Sequence, residues 1–309
     1  MKKVFIDGSV GTTGLRIFER LNARTDVQLL TISEEIRKDP LARKQALNAA
    51  DVAFLCLPDD AAREAVAMVE NPNTVIIDAS TAHRTLDGWA YGFPQLGKAF
   101  EDKVRSSKRI AVPGCHASGF IALVYPLIEA GILPKDALLT CQSLTGYSGG
   151  GKKMIAEYES QDKGGLLYAP RQYALGQGHK HLKEMKAVCG LENAPAFSPI
   201  VADFYSGMEV TVPLFAKQLQ GASIEDIRRI YAEKYTGNLV RYVESVDENG
   251  FLSALAMAKT DGMKITVAGN EERILLLAVY DNLGKGASGA AVECMNLAIG
   301  VEQTTGLVL

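Results

Sequence analysis

Apolar positions in the first third of the chain fall into short unbroken runs, each followed by a stretch in which they recur every third or fourth residue. Residues 3–7 form such a run, and Leu15, Ile17, Phe18 and Leu21 follow it at helical spacing. Residues 27–32, 51–57 (DVAFLCL) and 75–78 are further runs, with a helical stretch at 60–68. A run at 110–112 enters a Pro113-Gly114 turn and continues into 115–130, an apolar segment of helical length. Strands without polar alternation, joined by helices, predict parallel βαβ units whose ligands collect beyond the carboxyl ends of the strands. Later the pattern changes. Residues 138–144, 210–214, 264–268 and 274–280 read as strands, the last three of an antiparallel sheet, and 290–300 as a helix of small residues suited to close packing. The expected fold class is α/β: a doubly wound domain over 1–115 and 285–309, the final helix returning to it, and an α+β domain over 116–284.

At 309 residues the chain is long for a single core, which supports two domains. A hydrophobic content of 47% and a charged content of 22% are those of an ordinary globular protein. The net charge of -3 lacks the basic excess that a nucleic-acid or anionic-membrane surface calls for, so neither partner is expected. Apolar runs such as 274–280 fall far short of the ~20 residues of a membrane span, and the start, MKKVFIDGSVG, reaches Asp7 too soon for a signal-peptide core. A cytoplasmic protein is expected. Cysteines 56, 115, 141, 189 and 294 are widely spaced with no C-x-x-C pair, which suits reduced thiols. His179 and His181 are the only close pair among the four histidines, and no metal site is expected.

Against this frame three stretches carry chemistry. Gly8-Ser9-Val10-Gly11-Thr12-Thr13-Gly14 stands between a strand and a helix, where glycines let the backbone approach a pyrophosphate and the helix start donates N–H groups to it. The spacing is G-x-x-G-x-x-G, with Val10 in place of a second close glycine. After the second strand, Ser33 with Arg37 and Lys38 suits a ribose 2′-phosphate, while Glu34 and Glu35 leave a 2′-hydroxyl open; NADP is the preferred cofactor. Cys115 falls at or just before a helix start, where unpaired N–H groups and the dipole favour a thiolate; equally, a lone cysteine there can be a small buried hydrophobe. His179 and His181 follow a glycine and stand at an expected helix start near 179, where their rings diverge by about 200° and do not both reach one thiol. Residues 145–153, with three consecutive glycines and Lys152-Lys153, read either as an anion-binding loop or as a hairpin or linker.

The set GSVGTTG, PGCHASG, GHKHLKEM and DNLGKGASGAA resembles N-acetyl-γ-glutamyl-phosphate reductase in its shorter form, over essentially the whole chain. That family shares its architecture with aspartate-semialdehyde dehydrogenase: a Rossmann-type domain and an α+β domain for catalysis and oligomerisation. The resemblance implies Cys115 as nucleophile and His179 as acid/base, from an H-x-H-x-x-E block that also contains His181 and Glu184. It places Tyr173 near the site, Ser80 and Arg84 in a D-x-S-x-x-x-R block, and Asn282 against the nicotinamide. Substrate contacts are then expected from Ser80, Arg84, Tyr173, His181 and Glu184, and NADP contacts from Gly8, Val10, Gly11, Thr12, Thr13, Gly14, Ser33, Arg37, Leu57, Pro58, Ser118 and Asn282. Two departures stand out: His116 follows the cysteine where tyrosine is commoner in the family, and Lys183 replaces a proline. His116 leaves a second imidazole close to the thiol, so the base is open between it and His179.

The implied reaction is NADPH-dependent reduction of an acyl phosphate, N-acetylglutamyl 5-phosphate, to the semialdehyde through a cysteine thioester, in arginine biosynthesis. Arg84, Lys152, Lys153 and Arg171 are the candidate cations for the phosphate and carboxylate. A dimer or tetramer is expected. The competing readings are an aspartate-semialdehyde dehydrogenase and a non-catalytic NADP-binding sensor.

Overall fold

In the computed structural model, which describes residues 1–309, the unbroken apolar runs become one parallel sheet. Its strands are β1 (Lys2–Asp7), β2 (Val27–Leu30), β3 (Val52–Leu55), β4 (Val75–Asp78), β5 (Ala90–Tyr91) and β6 (Arg109–Ala111), in the order β2-β1-β3-β4-β6-β5. Every residue of β3 and β4 is buried, because helices cover both faces. Successive side chains of β1 serve opposite layers: Val4 and Ile6 pack with Ile17, Leu21 and the last helix (Gly289–Ile299), while Phe5 packs with Leu47, Ala62 and Ala65. The helices are α1 (Thr12–Asn22), α2 (Pro40–Ala49), α3 (Asp59–Ala67) and α4 (Lys98–Ser106). This unit comprises 1–94, 98–113 and 287–307. The strand order reverses around β1, which opens a crevice beyond the carboxyl ends of β1 and β3.

The second unit, 95–97, 114–286 and 308–309, is built on seven strands. They are β7 (Thr140–Gly146), β8 (Arg171–Gln172), β9 (Ala196–Ala202), β10 (Met208–Phe215), β11 (Val240–Tyr242), β12 (Met263–Gly269) and β13 (Arg273–Tyr280), in the order β11-β12-β13-β10-β7-β9-β8. Strands β12, β13 and β10 pair antiparallel, as expected; β7 pairs antiparallel with β10 but lies parallel to β9, and β11 lies parallel to β12. The long connection from β7 to β9, carrying α6 (Gly151–Glu159) and α7 (His181–Cys189), makes the parallel pairing possible. Helix α5 (Cys115–Glu129) packs on β10 and β13, and α8 (Ile224–Lys234) on β12. The Gly/Lys stretch is neither linker nor hairpin. After a tight turn over Tyr147–Gly150, Gly151 takes a φ of 72° and opens α6, whose Tyr158 is buried while Lys152 and Lys153 stay exposed in its first turn.

Helix α5 is buried on all sides from His116 to Val124, unlike an amphipathic surface helix. Its Pro126 has no N–H to give the Ala122 carbonyl four residues earlier. Tyr235 supplies the missing donor at 2.7 Å, and the Tyr231 hydroxyl donates to the neighbouring Leu123 carbonyl. The apolar segment is thus an interior rod whose interrupted backbone is completed by side chains.

Candidate active site

Cys115 is the first residue of α5, and Gly114 caps the helix in extended backbone (φ −73°, ψ 147°) with no side chain on the first-turn amides. The positive end of the helix dipole there favours a sulfur anion or a ligand oxygen. The Gly114 N–H donates to Glu184 Oε2 at 3.1 Å, so a buried carboxylate on α7 anchors the cap. Gly286 lets a second chain segment close in, since a Cβ there would lie 3.0 Å from Cys115 Cβ. Cys115 remains half-exposed, whereas Cys141 and Cys189 are buried and burial pushes their thiols up, out of reach of ionisation. No disulfide joins any of the five cysteines.

His116 turns inward and is fully committed. One ring nitrogen bonds Ser143 Oγ and the other the Tyr173 hydroxyl, both at 2.6 Å. Burial first, then the charge of His179, pulls its pKa down to about 3, so the ring is neutral at neutral pH. A base needs a free nitrogen and a pKa near the working pH, and His116 has neither. His179 is half-buried, with its ring 5.5 Å from that of His116, and its Nδ1 accepts the His181 N–H at 3.2 Å. Neutral His179 then carries its proton on Nε2. The expected divergence of the two H-x-H rings does not occur: they lie 4.6 Å apart, and His181 lies 5.6 Å from His116. α7 begins at His181, not near 179, so His179 belongs to a turn and helical rotation does not separate the pair. Phe197 packs edge-on against both His116 and His179. Burial, and then the charge of Cys115, raise the Tyr173 hydroxyl far above its ordinary range and keep it protonated.

The other expected residues distribute differently. Glu184 joins the cluster as the anchor of Gly114 described above. Ser118 is buried and donates back to the Gly114 carbonyl at 3.0 Å. Asn282 is buried with both ends of its amide engaged, accepting the Gly207 N–H at 2.9 Å and donating to Ser148 Oγ at 3.0 Å. Its neighbour Asp281 accepts from Ser206, Lys259, Leu283 and Gly284, so the DNLGKG block is a tightly bonded loop. Ser80 and Arg84 lie in the first unit and serve their own loop: Ser80 donates to Asp78, and Arg84 donates to the Val112 and Ala79 carbonyls. Arg171 donates to the Tyr158 hydroxyl. Sequence reasoning missed Ser143, Phe197 and Tyr280, which come from strands distant in sequence, and Lys285, a buried lysine whose ammonium donates to Gln95 Oε1 at 2.8 Å. Lys285 was the one with a local signal, lying between glycines in the DNLGKG block.

In the first unit the Gly8–Gly14 turn closes on itself, with the Gly11 N–H donating to the Gly8 carbonyl at 3.0 Å. Gly8 has a φ of 88°, and a Cβ there would run into the Cys56 carbonyl; one at Gly14 would run into the Gly8 carbonyl. Gly11 caps α1 without a side chain, so the first-turn amides of that helix face a ligand. A cleft of about 380 Å³ adjoins, lined by Gly8, Ser9, Val10, Leu57, Arg37 and Lys38 among others. Asp7, the sole acid in its wall, is held by Arg43 Nε and Nη2 at 3.0 and 2.8 Å. Thr12 and Thr13 begin α1, Pro58 caps α3, and Ser33 precedes Arg37, which pairs with Glu34 at 3.7 Å. A glycine cradle, an uncapped helix start and a cleft whose wall carries Arg37 and Lys38 fit a dinucleotide.

Comparison with known proteins agrees with both units. Residues 3–101 match the NAD binding domain of semialdehyde dehydrogenases, and 115–282 their dimerisation domain. The chain is 47% identical over 305 residues to N-acetyl-gamma-glutamyl-phosphate reductase of Rhizobium meliloti, covering 96% of this chain and 98% of that protein. It is 45% identical over 318 residues to the reductase of Trichormus variabilis, covering 99% of each. Among solved structures, aspartate semialdehyde dehydrogenase II of Vibrio cholerae, complexed with ASA, superposes with a TM-score of 0.74 at 16% identity over 97% of this chain and 98% of that one. The Candida albicans aspartate semialdehyde dehydrogenase with NADP gives 0.65 at 15% identity over 96% and 98%. These last two speak for the fold alone. With a thiol opening a buried helix, an imidazole cluster beside it, a dinucleotide cradle and nearly half of all residues shared end to end, the chain belongs to the N-acetyl-γ-glutamyl-phosphate reductase family of semialdehyde-dehydrogenase-type enzymes.

Proposed function

We propose that this chain reduces N-acetyl-γ-glutamyl phosphate to N-acetylglutamate semialdehyde and phosphate with NADPH, through a thioester on Cys115. One observation carries the reading: Cys115 is the half-exposed first residue of a helix whose opening amides have no side-chain cap, and the next residue, His116, packs against the His179 and His181 rings. The thiolate attacks the acyl carbon, and phosphate departs with the electrons of the broken C–O bond. The N–H groups of the first turn of α5 bond the oxyanion that develops on the carbon. NADPH held at the Gly8–Gly14 turn would supply hydride to the thioester carbon; Cys115 carries the acyl group through that reduction and leaves as thiolate when the thiohemiacetal collapses to the aldehyde. His179, with its Nε2 proton, manages proton transfer at this carbon, a role that typically contributes ~10²–10⁴-fold. Tyr173 and His181 form the wall that orients the substrate.

NADP is favoured over NAD because Arg37 and Lys38 line the cleft, while its one acid, Asp7, is neutralised by Arg43. The chain acts as a homo-oligomer in the cytosol. Free thiols without a disulfide suit a reducing compartment, and the seven-stranded sheet turns Leu144, Ile200, Pro213, Leu275 and Leu277 to the face opposite α5, where each stays partly exposed.

The test is to mix the protein with the acyl phosphate in the absence of NADPH and read its intact mass. An acyl adduct on Cys115, lost in Cys115→Ser together with turnover, is the expected result. Turnover surviving in Cys115→Ser overturns the covalent route.

A further inference from the structure

The hydroxyl of Tyr280, the last residue of β13, donates to the Cys115 carbonyl at 2.6 Å and accepts the Gly119 N–H at 3.0 Å. In a regular helix those two groups pair with each other, four residues apart. Here a phenol stands between them, in the turn that carries the thiol. Gly119 makes the room: a Cβ there would lie 2.7 Å from the Tyr280 oxygen and 2.7 Å from Val210 Cγ2. Burial, followed by the charge of Cys115, raises the Tyr280 hydroxyl well above its ordinary range, which keeps it a neutral donor. Tyr235 makes a similar bond to the Ala122 carbonyl, but there Pro126 has removed the natural partner and the hydroxyl repairs the helix. At Cys115 nothing needs repair, because Gly119 has its N–H. The Tyr280 hydroxyl is an added tie from β13 to both groups.

We infer that Tyr280 is a positioning residue for the nucleophile: its hydroxyl, bonded to both the Cys115 carbonyl and the Gly119 amide, anchors the first turn of α5 to β13 and so holds the Cys115 sulfur at the helix-start amides. The inference rests on the reading of Cys115 as nucleophile. Without the hydroxyl the two groups lose their common tie to β13, the turn is free to shift, and the sulfur moves off the amides that stabilise its anion.

Tyr280→Phe is expected to lower kcat by about 10- to 100-fold with KM nearly unchanged, the signature of a misplaced reacting group. The midpoint of the pH dependence of Cys115 alkylation by iodoacetamide, followed on the Cys115 peptide by mass spectrometry, is expected to move upward. Tyr235→Phe loses a comparable buried bond on the same helix; it is expected to lower the unfolding midpoint and leave the alkylation profile in place. Gly119→Ala, which displaces the phenol without removing it, is expected to reproduce the upward shift and stands in should Tyr280→Phe not fold. An unshifted alkylation profile in whichever variant folds, or an equal shift in Tyr235→Phe, overturns the inference. A fully active Cys115→Ser would instead bring down the nucleophile reading itself, and the two failures are told apart by that variant alone.

Discussion

At His116 burial decides the chemistry. An imidazole beside a reactive thiol invites assignment as its base, yet both ring nitrogens are bonded inside the protein and desolvation holds the ring neutral. The consequence is measurable in stability. The folded pKa of about 3 lies below the 6.5 of a free imidazole, so between these values the unfolded chain binds a proton that the native chain refuses. Stability contributed by neutral His116 is therefore full above pH ~6.5 and drains as pH falls toward ~3, at up to ~1.4 kcal/mol per unit. Urea unfolding at pH 6, 5 and 4 is expected to show a shallower loss in His116→Asn than in the parent protein. Parallel losses in the two proteins would show that His116 is not the group responsible.

Among the elements, α5 shows how one helix can be core and still present a half-exposed thiol at its start. It is apolar all round and carries a proline, which ought to weaken it, but Tyr235 closes the gap at Ala122. Leaving that buried carbonyl without a donor costs roughly 1–3 kcal/mol. Tyr235→Phe is expected to cost about that much in the parent and distinctly less in a Pro126→Ala background, where residue 126 regains an N–H for Ala122. A double-mutant cycle by chemical denaturation reads the coupling, and additive losses would mean that the hydroxyl and the proline are unrelated. At the other end of the helix Glu184 plays a comparable part, since it ties α7 to the Gly114 cap.

For the molecule as a whole, the open face of the seven-stranded sheet matters most. α5 covers one side, and register sets Pro213 opposite Leu275 and Leu144 beside Ile200 on the other. In the homo-oligomer proposed above, these partly exposed apolar residues are the surface that a second copy of the same face would cover with two-fold symmetry. Leu275→Glu combined with Leu277→Glu is expected to convert an oligomer of the parent chain into monomer in sedimentation velocity while leaving the circular dichroism of the subunit unchanged. An unaltered sedimentation coefficient would place the interface elsewhere.

Much of the molecule was legible beforehand because its determinants are local. Unbroken apolar runs specified the parallel strands; a glycine cluster between strand and helix marked the dinucleotide turn, since only residues without Cβ tolerate that packing; and Pro113-Gly114 before an apolar helix placed Cys115 at a helix start. What tertiary structure decided was which polar groups meet. Ser143, Tyr173, Phe197 and Tyr280 reach the Cys115-His116 pair from strands and loops far along the chain, and no periodicity encodes such encounters. That His116 is neutral and fully bonded followed from those contacts, because a pKa is set by burial and neighbours in three dimensions, whereas the position of a thiol at a helix start is set by the order of the residues alone.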